Sequence, residues 1–369
     1  MQHLLEILKI VDGALNADPT KVTAYVEQLA RKVESNGDSV AAGRLRRCLH
    51  QSKAQKLSLH RVAPGGRLPV DADSRFSLAD EEMPEVATAQ AFLDPRNTSI
   101  VEDFVKYVQS ADKLIGSGIG ISPSLLMYGP PGCGKTELGR YIAARLQLPL
   151  ISARIDSLVS SYLGSTAKNL RMLFDHAASR PCVLFLDEFD AVAKLRDDKQ
   201  ELGELKRVVV GLLQNIDALD SHTVLLAATN HQHLLDPAVW RRFAYKLHLK
   251  EPDAETRGKL FEHFLRGFGE AGDTPLYVAV SDGLTGSDIR QVCHDGAREA
   301  ILSDRLRLDR AVMLRKLLQL RFAPDELAQR PLDDQIRTIR QLDPKLFTYR
   351  LLAELFDVSL GSIKDRLRK

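Results

Sequence analysis

The run Gly129-Pro130-Pro131-Gly132-Cys133-Gly134-Lys135-Thr136 matches the spacing GxxxxGK[ST], which suits a loop that cradles phosphate. Its glycines let the backbone wrap an anion without Cβ clashes, and the amides at the start of the following helix point at negative charge. Lys135 would set a cation beside the β- and γ-phosphates of a nucleotide, and the Thr136 hydroxyl can ligate Mg²⁺. Glu137, next along the helix, belongs with these nucleotide-contacting candidates. A chance glycine-rich turn seldom has a strand before it and a helix after it, as the flanking residues predict here.

Three later clusters fit hydrolysis of the bound phosphate. Val183-Leu184-Phe185-Leu186 leads into Asp187-Glu188, so an apolar strand would deliver two carboxylates to the carboxyl edge of a sheet. Asp187 is then placed to hold Mg²⁺, and Glu188 to take the proton of the attacking water. Acidic pairs are common on solvated surfaces, and the place of this one at the end of a buried strand is what makes it informative. Ala227-Ala228-Thr229-Asn230 ends a further strand in an amide that can orient water. Leu235-Asp236-Pro237-Ala238-Val239-Trp240-Arg241-Arg242-Phe243 ends in two arginines. They read either as a solvated helix end or as guanidinium groups that stabilise charge on a transferring phosphoryl group.

These residues need a scaffold. Strand-length apolar runs fall at 125–128, 150–155, 183–186, 224–228 and 245–249, with helix-like segments between them. That alternation predicts an α/β fold, a parallel five-stranded sheet with helices on both faces. Residues 86–250 would form this large subdomain, 251–302 a helical lid, and 303–369 a helical extension. Before them, Leu4, Leu8, Val11 and Leu15 share one helical face, as do Val22, Val26, Leu29 and Val33. With Asp18-Pro19 as a helix start, Gly37 as a stop and Asp38 as the next cap, residues 1–54 read as a small helical domain for docking or assembly. Periodicity fades over 55–85, where Pro64-Gly65-Gly66 marks a linker.

Lys and Arg number 51 against 49 Asp and Glu, which argues against a general polyanion binder. Cys48, Cys133, Cys182 and Cys293 are scattered without a CxxC pair, so neither a disulfide framework nor a zinc site is expected. No apolar run approaches the ~20 residues needed to cross a bilayer. The N-terminus also lacks a signal-peptide pattern, and a cytoplasmic protein without membrane contact is expected.

Taken together, LLMYGPPGCGKTELGR, VLFLDEFDAV, LLAATN, LDPAVWRRF and GLTGSDIRQVCHDGAREAI resemble the AAA subgroup of the AAA+ superfamily, which includes katanin, spastin and the proteasomal ATPases. The resemblance runs from about Leu125 to Leu302 in a single cassette. It implies an ATP hydrolase with ATP and Mg²⁺ as its nucleotide and metal, working as a homo-hexameric ring. Active sites would lie at subunit interfaces, with Arg241 and Arg242 as fingers into the neighbouring site; their order of importance stays open. It places Gly286 and Ser287 near the adenine. It also makes Tyr162-Leu163-Gly164 a pore loop gripping a polypeptide, where a tyrosine ring contacts many side chains without needing one sequence. The charged run 194–199 lies where a second pore loop would be.

Two readings of the work follow. The first is remodelling, unfolding or disassembly of a protein substrate through a central pore, with an adaptor or partner protein held by residues 1–54. The alternative is a DNA-associated regulatory ATPase. It rests on 349–367, which resembles a helix-turn-helix, and on 15 basic against 10 acidic residues after Leu302. A P-loop kinase or GTPase would leave Asn230 and the arginine pair unexplained. No HExxH occurs, so the zinc-protease half carried by the membrane-bound AAA proteases of this subgroup is not expected.

Overall fold

The computed structural model describes residues 3–15, 19–54, 68–71, 75–158, 163–193, 202–219, 222–269, 271–322 and 329–368. The chain divides into two compact units: residues 1–90, 99–129 and 135–248, and residues 91–98, 130–134 and 249–369.

The first unit opens with helices α1 (Leu4–Leu15), α2 (Pro19–Ser35) and α3 (Ser39–Ala54). Pro19 occupies the first position of α2, where a missing N–H costs nothing. Asp18, expected as its cap, lies outside the described residues. Gly37 adopts φ +93° after α2, and the Asp38 carboxylate accepts from the Ala41 amide at 2.9 Å to start α3. The helices share a unit with the sheet and are tied to it by charge. Lys32 on α2 lies 2.6 Å from the fully buried Glu6 of α1 and 3.1 Å from Asp112, in the helix Ala111–Gly116. Burial lowers the Lys32 pKa, but the two carboxylates outweigh it and the net shift is upward. His3, Glu6 and Asp112 lie close enough together to suggest metal ligation. Lys32 already supplies the positive charge there.

A six-stranded sheet follows: β1 (Ala79–Glu82), β2 (Ser124–Tyr128), β3 (Leu150–Ala153), β4 (Cys182–Leu186), β5 (Thr223–Thr229) and β6 (Tyr245–His248), in the order β1-β3-β4-β5-β2-β6. The five parallel strands, β2 to β6, are those expected from the apolar runs. The correction is the sixth, β1, which pairs antiparallel with β3 at the edge and lies within residues read as linker. Its sequence, Ala-Asp-Glu-Glu, has no strand propensity. Three arginines hold it: Arg154 on Asp80 at 2.7 Å, Arg180 on Glu81 at 2.5 Å and Arg140 on Glu82 at 2.8 Å. Charge along an exposed edge also discourages pairing with another chain.

β5 sits centrally and is buried at all seven positions, which accounts for its unbroken apolar run. One face of the sheet packs against helices Leu163–Ala178 and Leu202–Ala218 through Leu170, Leu173, Phe174, Val208 and Leu212. In helix Lys135–Leu146, a Cβ on Gly139 would lie 3.5 Å from the Phe185 ring, an ordinary contact distance, so this helix packs on β4 at Gly139.

The second unit is helical. Residues from the expected lid (Leu260, Phe261, Tyr277, Ile289, Cys293) and from the expected extension (Met313, Leu317, Ile339, Leu352, Ile363) share one core. Burial pushes the Cys293 thiol up to about 12, which leaves it protonated. The helix-turn-helix-like pair appears as Tyr349–Phe356 and Leu360–Arg368, with Asp357 in the left-handed region between them. Many basic side chains of this region are paired: Arg310 with Glu354, Arg366 with Asp333, and Lys316 with Glu299. Among the described residues no helix is long and apolar enough to cross a membrane.

Replacing Lys32 by Met should destabilise the protein by about 2–4 kcal/mol, because the Glu6 carboxylate would stay buried without a counter-charge. Thermal denaturation at pH 7 reads this, and Glu6→Gln combined with Lys32→Met should recover part of the loss. Since the Lys32 pKa is raised on folding, the stabilisation it draws from ionised Glu6 and Asp112 is present below the ordinary lysine value of 10.5 while those carboxylates stay charged, and on the alkaline side is lost as pH rises through the folded value.

Candidate active site

The parallel register brings the candidate residues to one edge. Leu186 of β4 pairs with Ala227 of β5, and Tyr128 of β2 pairs with Thr229 of β5. The three strands therefore end at nearly one level, and the chain leaves them as Asp187, Gly129 and Asn230. Carboxyl ends of parallel strands are where open α/β sheets bind ligands.

Within the first unit, the Thr136 hydroxyl donates to Asp187 Oδ2 at 2.7 Å, so two hard oxygen donors from distant motifs lie side by side. Asp187 Oδ1 accepts from the Glu188 amide at 2.9 Å. That set of donors fits Mg²⁺, which favours oxygen ligands and binds through few protein groups. Lys135 is 7% exposed, and its ammonium donates to the Gly129 carbonyl at 2.9 Å.

Glu188 is exposed and has φ +47°. Such a left-handed conformation costs a side-chain-bearing residue about 1–2 kcal/mol. The neighbouring residue sustains it: the Phe189 amide donates to the Ala228 carbonyl at 2.8 Å, and the Phe189 ring is fully buried against Phe243. Asn230 is exposed at the end of β5, after the buried Thr229.

The two arginines differ. They end the helix Pro237–Arg242, which Asp236 caps by accepting from the Ala238 amide at 2.7 Å. Arg242 forks onto both oxygens of Asp217, each at 3.2 Å, and its third bond goes to the Ala238 carbonyl. Arg241 is exposed and has no hydrogen bond or ion pair among the described residues.

The middle of the phosphate loop belongs to the second unit. Gly132 and Gly134 take φ +77° and +87°. The Ser287 amide donates to the Gly132 carbonyl at 3.0 Å, and a Cβ on Gly286 would lie 3.4 Å from that carbonyl. Thr285 caps the helix Gly286–Leu302 in a reciprocal capping box with Asp288. A Cβ on Gly132 would come within 2.6 Å of the Thr285 hydroxyl. Pro130, Pro131 and Cys133 complete this loop, while Glu137 is exposed and paired with Arg140 at 3.5 Å.

Sequence reasoning singled out neither Thr285, Asp190 nor Asp217, each of which fixes a candidate residue or its neighbour. The cap signal was present as Thr-Gly-Ser-Asp, and Asp190 lies inside the quoted acidic motif. Tyr162, expected in a pore loop, and the run 194–199 lie outside the described residues. Leu163 and Gly164 open the helix Leu163–Ala178.

The family of ATPases associated with various cellular activities, AAA, matches residues 125–251. An uncharacterised AAA family ATPase of Sinorhizobium fredii, y4kL, is 35% identical over 76% of this chain and 85% of its own length. The chain belongs to the AAA ATPase family. This AAA ATPase is also 31% identical to the proteasome-activating nucleotidase of Methanopyrus kandleri, over 64% of its own length and 57% of that relative's. As a member of the family it binds and hydrolyses ATP.

Gly132→Ala should lower the stability of the AAA ATPase by about 1–3 kcal/mol, through a strained φ and the contact with Thr285. It should also weaken ATP binding; calorimetric melting and a nucleotide titration check the two effects separately.

Proposed function

We propose that the chain is one subunit of a homo-oligomeric, hexameric ring that uses Mg-ATP hydrolysis to remodel, unfold or disassemble a protein substrate drawn through a central pore. The observation that carries the ring is the contrast between the two arginines. Arg242 has a bidentate carboxylate partner in its own subunit, and Asp217 raises its pKa further; Arg241 is exposed. A guanidinium held at a helix end without a cis acceptor suits a site on a neighbouring copy, so Arg241 is the primary finger and Arg242 holds the helix end.

In this reading the amides of Gly129–Gly134 and the Lys135 ammonium hold the phosphates, and Gly286 and Ser287 lie near the adenine. Thr136 and Asp187 hold Mg²⁺, which neutralises charge on the phosphates when bound. Glu188 accepts the proton of the attacking water, and Asn230 orients that water. Exposure of Glu188 on a strained turn favours this role, since function is a common reason for such strain to persist.

The polypeptide substrate rests on Tyr162-Leu163-Gly164 and on likeness to a relative named proteasome-activating nucleotidase. Residues 1–54 would receive an adaptor or partner, and a cytoplasmic location fits the work. Pairing of Arg310, Lys316 and Arg366 with carboxylates leaves less free positive charge for DNA, so protein remodelling is the reading retained.

Arg241→Ala and Glu188→Gln should each reduce ATPase activity by about 10²-fold or more. Mixing the two variants should restore activity, because some sites would pair an intact Glu188 with an intact Arg241 from the next subunit. Activity that stays absent in every mixture would place Arg241 in cis. Tyr162→Ala should leave basal ATPase nearly intact while abolishing ATP-dependent unfolding of a tagged model substrate; unfolding at the unchanged rate would remove the pore-loop role.

A further inference from the structure

Asp190 closes the acidic motif, yet the roles above give it no work. Its Oδ1 accepts from the Thr229 hydroxyl at 2.6 Å, and the same hydroxyl oxygen accepts from the His231 amide at 2.9 Å. Thr229 is 1% exposed, so solvent has little access to this arrangement. A carboxylate can only accept, which forces the Thr229 O–H to donate toward Asp190. The oxygen lone pair is thereby turned to the His231 N–H. A side-chain hydroxyl that bonds the amide two residues on folds the chain into a tight turn. Asn230 is the middle residue of that turn.

The position of this bond matters because the sheet ladder has ended. The last β4–β5 pair is Leu186 with Ala227. Beyond it the turn carrying Glu188 meets the end of β5 through two hydrogen bonds, Phe189 amide to Ala228 carbonyl and Thr229 hydroxyl to Asp190. The Thr229 carbonyl in turn accepts from the Gly129 amide at 3.3 Å, which joins the first residue of the phosphate loop to the same point. One threonine therefore contacts the acidic turn, the phosphate loop and the turn of Asn230.

We propose that Asp190 is a positioning residue for ATP hydrolysis: through the Thr229 hydroxyl it sets the spacing between Glu188 and Asn230, and so the place of the attacking water. This rests on the roles given above to Glu188 and Asn230. Asp190 needs no contact with nucleotide to act. Misplacement of a reacting group by about 1 Å can cost ~10²-fold in rate, whereas ground-state binding of ATP relies on the phosphate loop and tolerates the shift.

The test is steady-state ATPase of the full chain, with ATP affinity measured separately by titration. Asp190→Ala and Thr229→Val should each lower kcat by about 10–100-fold while changing KM and ATP affinity less than about threefold. Thr229→Ser keeps the hydroxyl and should recover most of the rate. The double variant Asp190→Ala/Thr229→Val should be no slower than the worse single one, because both remove the same bond. Unchanged kcat in folded Thr229→Val, or failure of Thr229→Ser to do better than Thr229→Val, would overturn the proposal. So would a loss confined to KM. Asn230→Ala and Glu188→Gln run alongside separate the two levels: if either retains full turnover the reading of the site fails, and if both are impaired while Thr229→Val is not, only the role of Asp190 fails.

Discussion

The parallel pairing of β4, β5 and β2 is the constraint on which the site depends. Hydrogen-bond register sets where each strand ends, and the pairs Leu186–Ala227 and Tyr128–Thr229 bring the three ends to one level. A slip of one residue would move every side chain of β5 to the opposite packed face of the sheet and displace Asn230 from the acidic turn. Burial of all seven β5 residues makes such a slip costly, so the apolar core and the positions of Thr136, Asp187 and Asn230 are enforced together.

Charge does at the margins what apolar burial does at the centre. β1 has neither the residue types nor the alternation of a strand, and three arginines from separate elements hold its acids in place. Lys32 similarly pairs with the buried Glu6 and the half-buried Asp112, linking the N-terminal helices to the helix before β2. Pairs of this kind are weak as stabilisers in isolation, but they are demanding about partners, because an unmatched buried charge is strongly unfavourable. They specify where otherwise featureless segments go.

Glycine and capping geometry shape the phosphate loop in the same specific way. Gly132 has a positive φ and no room for a Cβ beside Thr285, while Thr285 caps the helix that carries Gly286 and Ser287. Gly296, lower on that helix, lets Met313 and Leu308 approach, so the helix is packed into a core shared with the C-terminal residues. The loop conformation is thus coupled to the packing of residues far along the chain.

The sequence by itself determined the family, the five parallel strands and the nucleotide-site candidates. These features are local: a phosphate loop, a strand ending in acids and a capped helix each lie within a few consecutive residues, and their order can be read directly. The N-terminal helices were legible for the same reason, through apolar period and Gly37. Only the tertiary structure decided the pairing of β1, the burial of Glu6 against Lys32 and the shared core of 251–302 and 303–369. It also separated Arg241 from Arg242, and gave Asp190 a partner. Each of those depends on residues distant in the chain, such as Asp217 for Arg242 and Thr229 for Asp190. Local patterning records which residues favour a strand, a turn or a charge; which partner a charge meets is set by the packing that brings separate elements together.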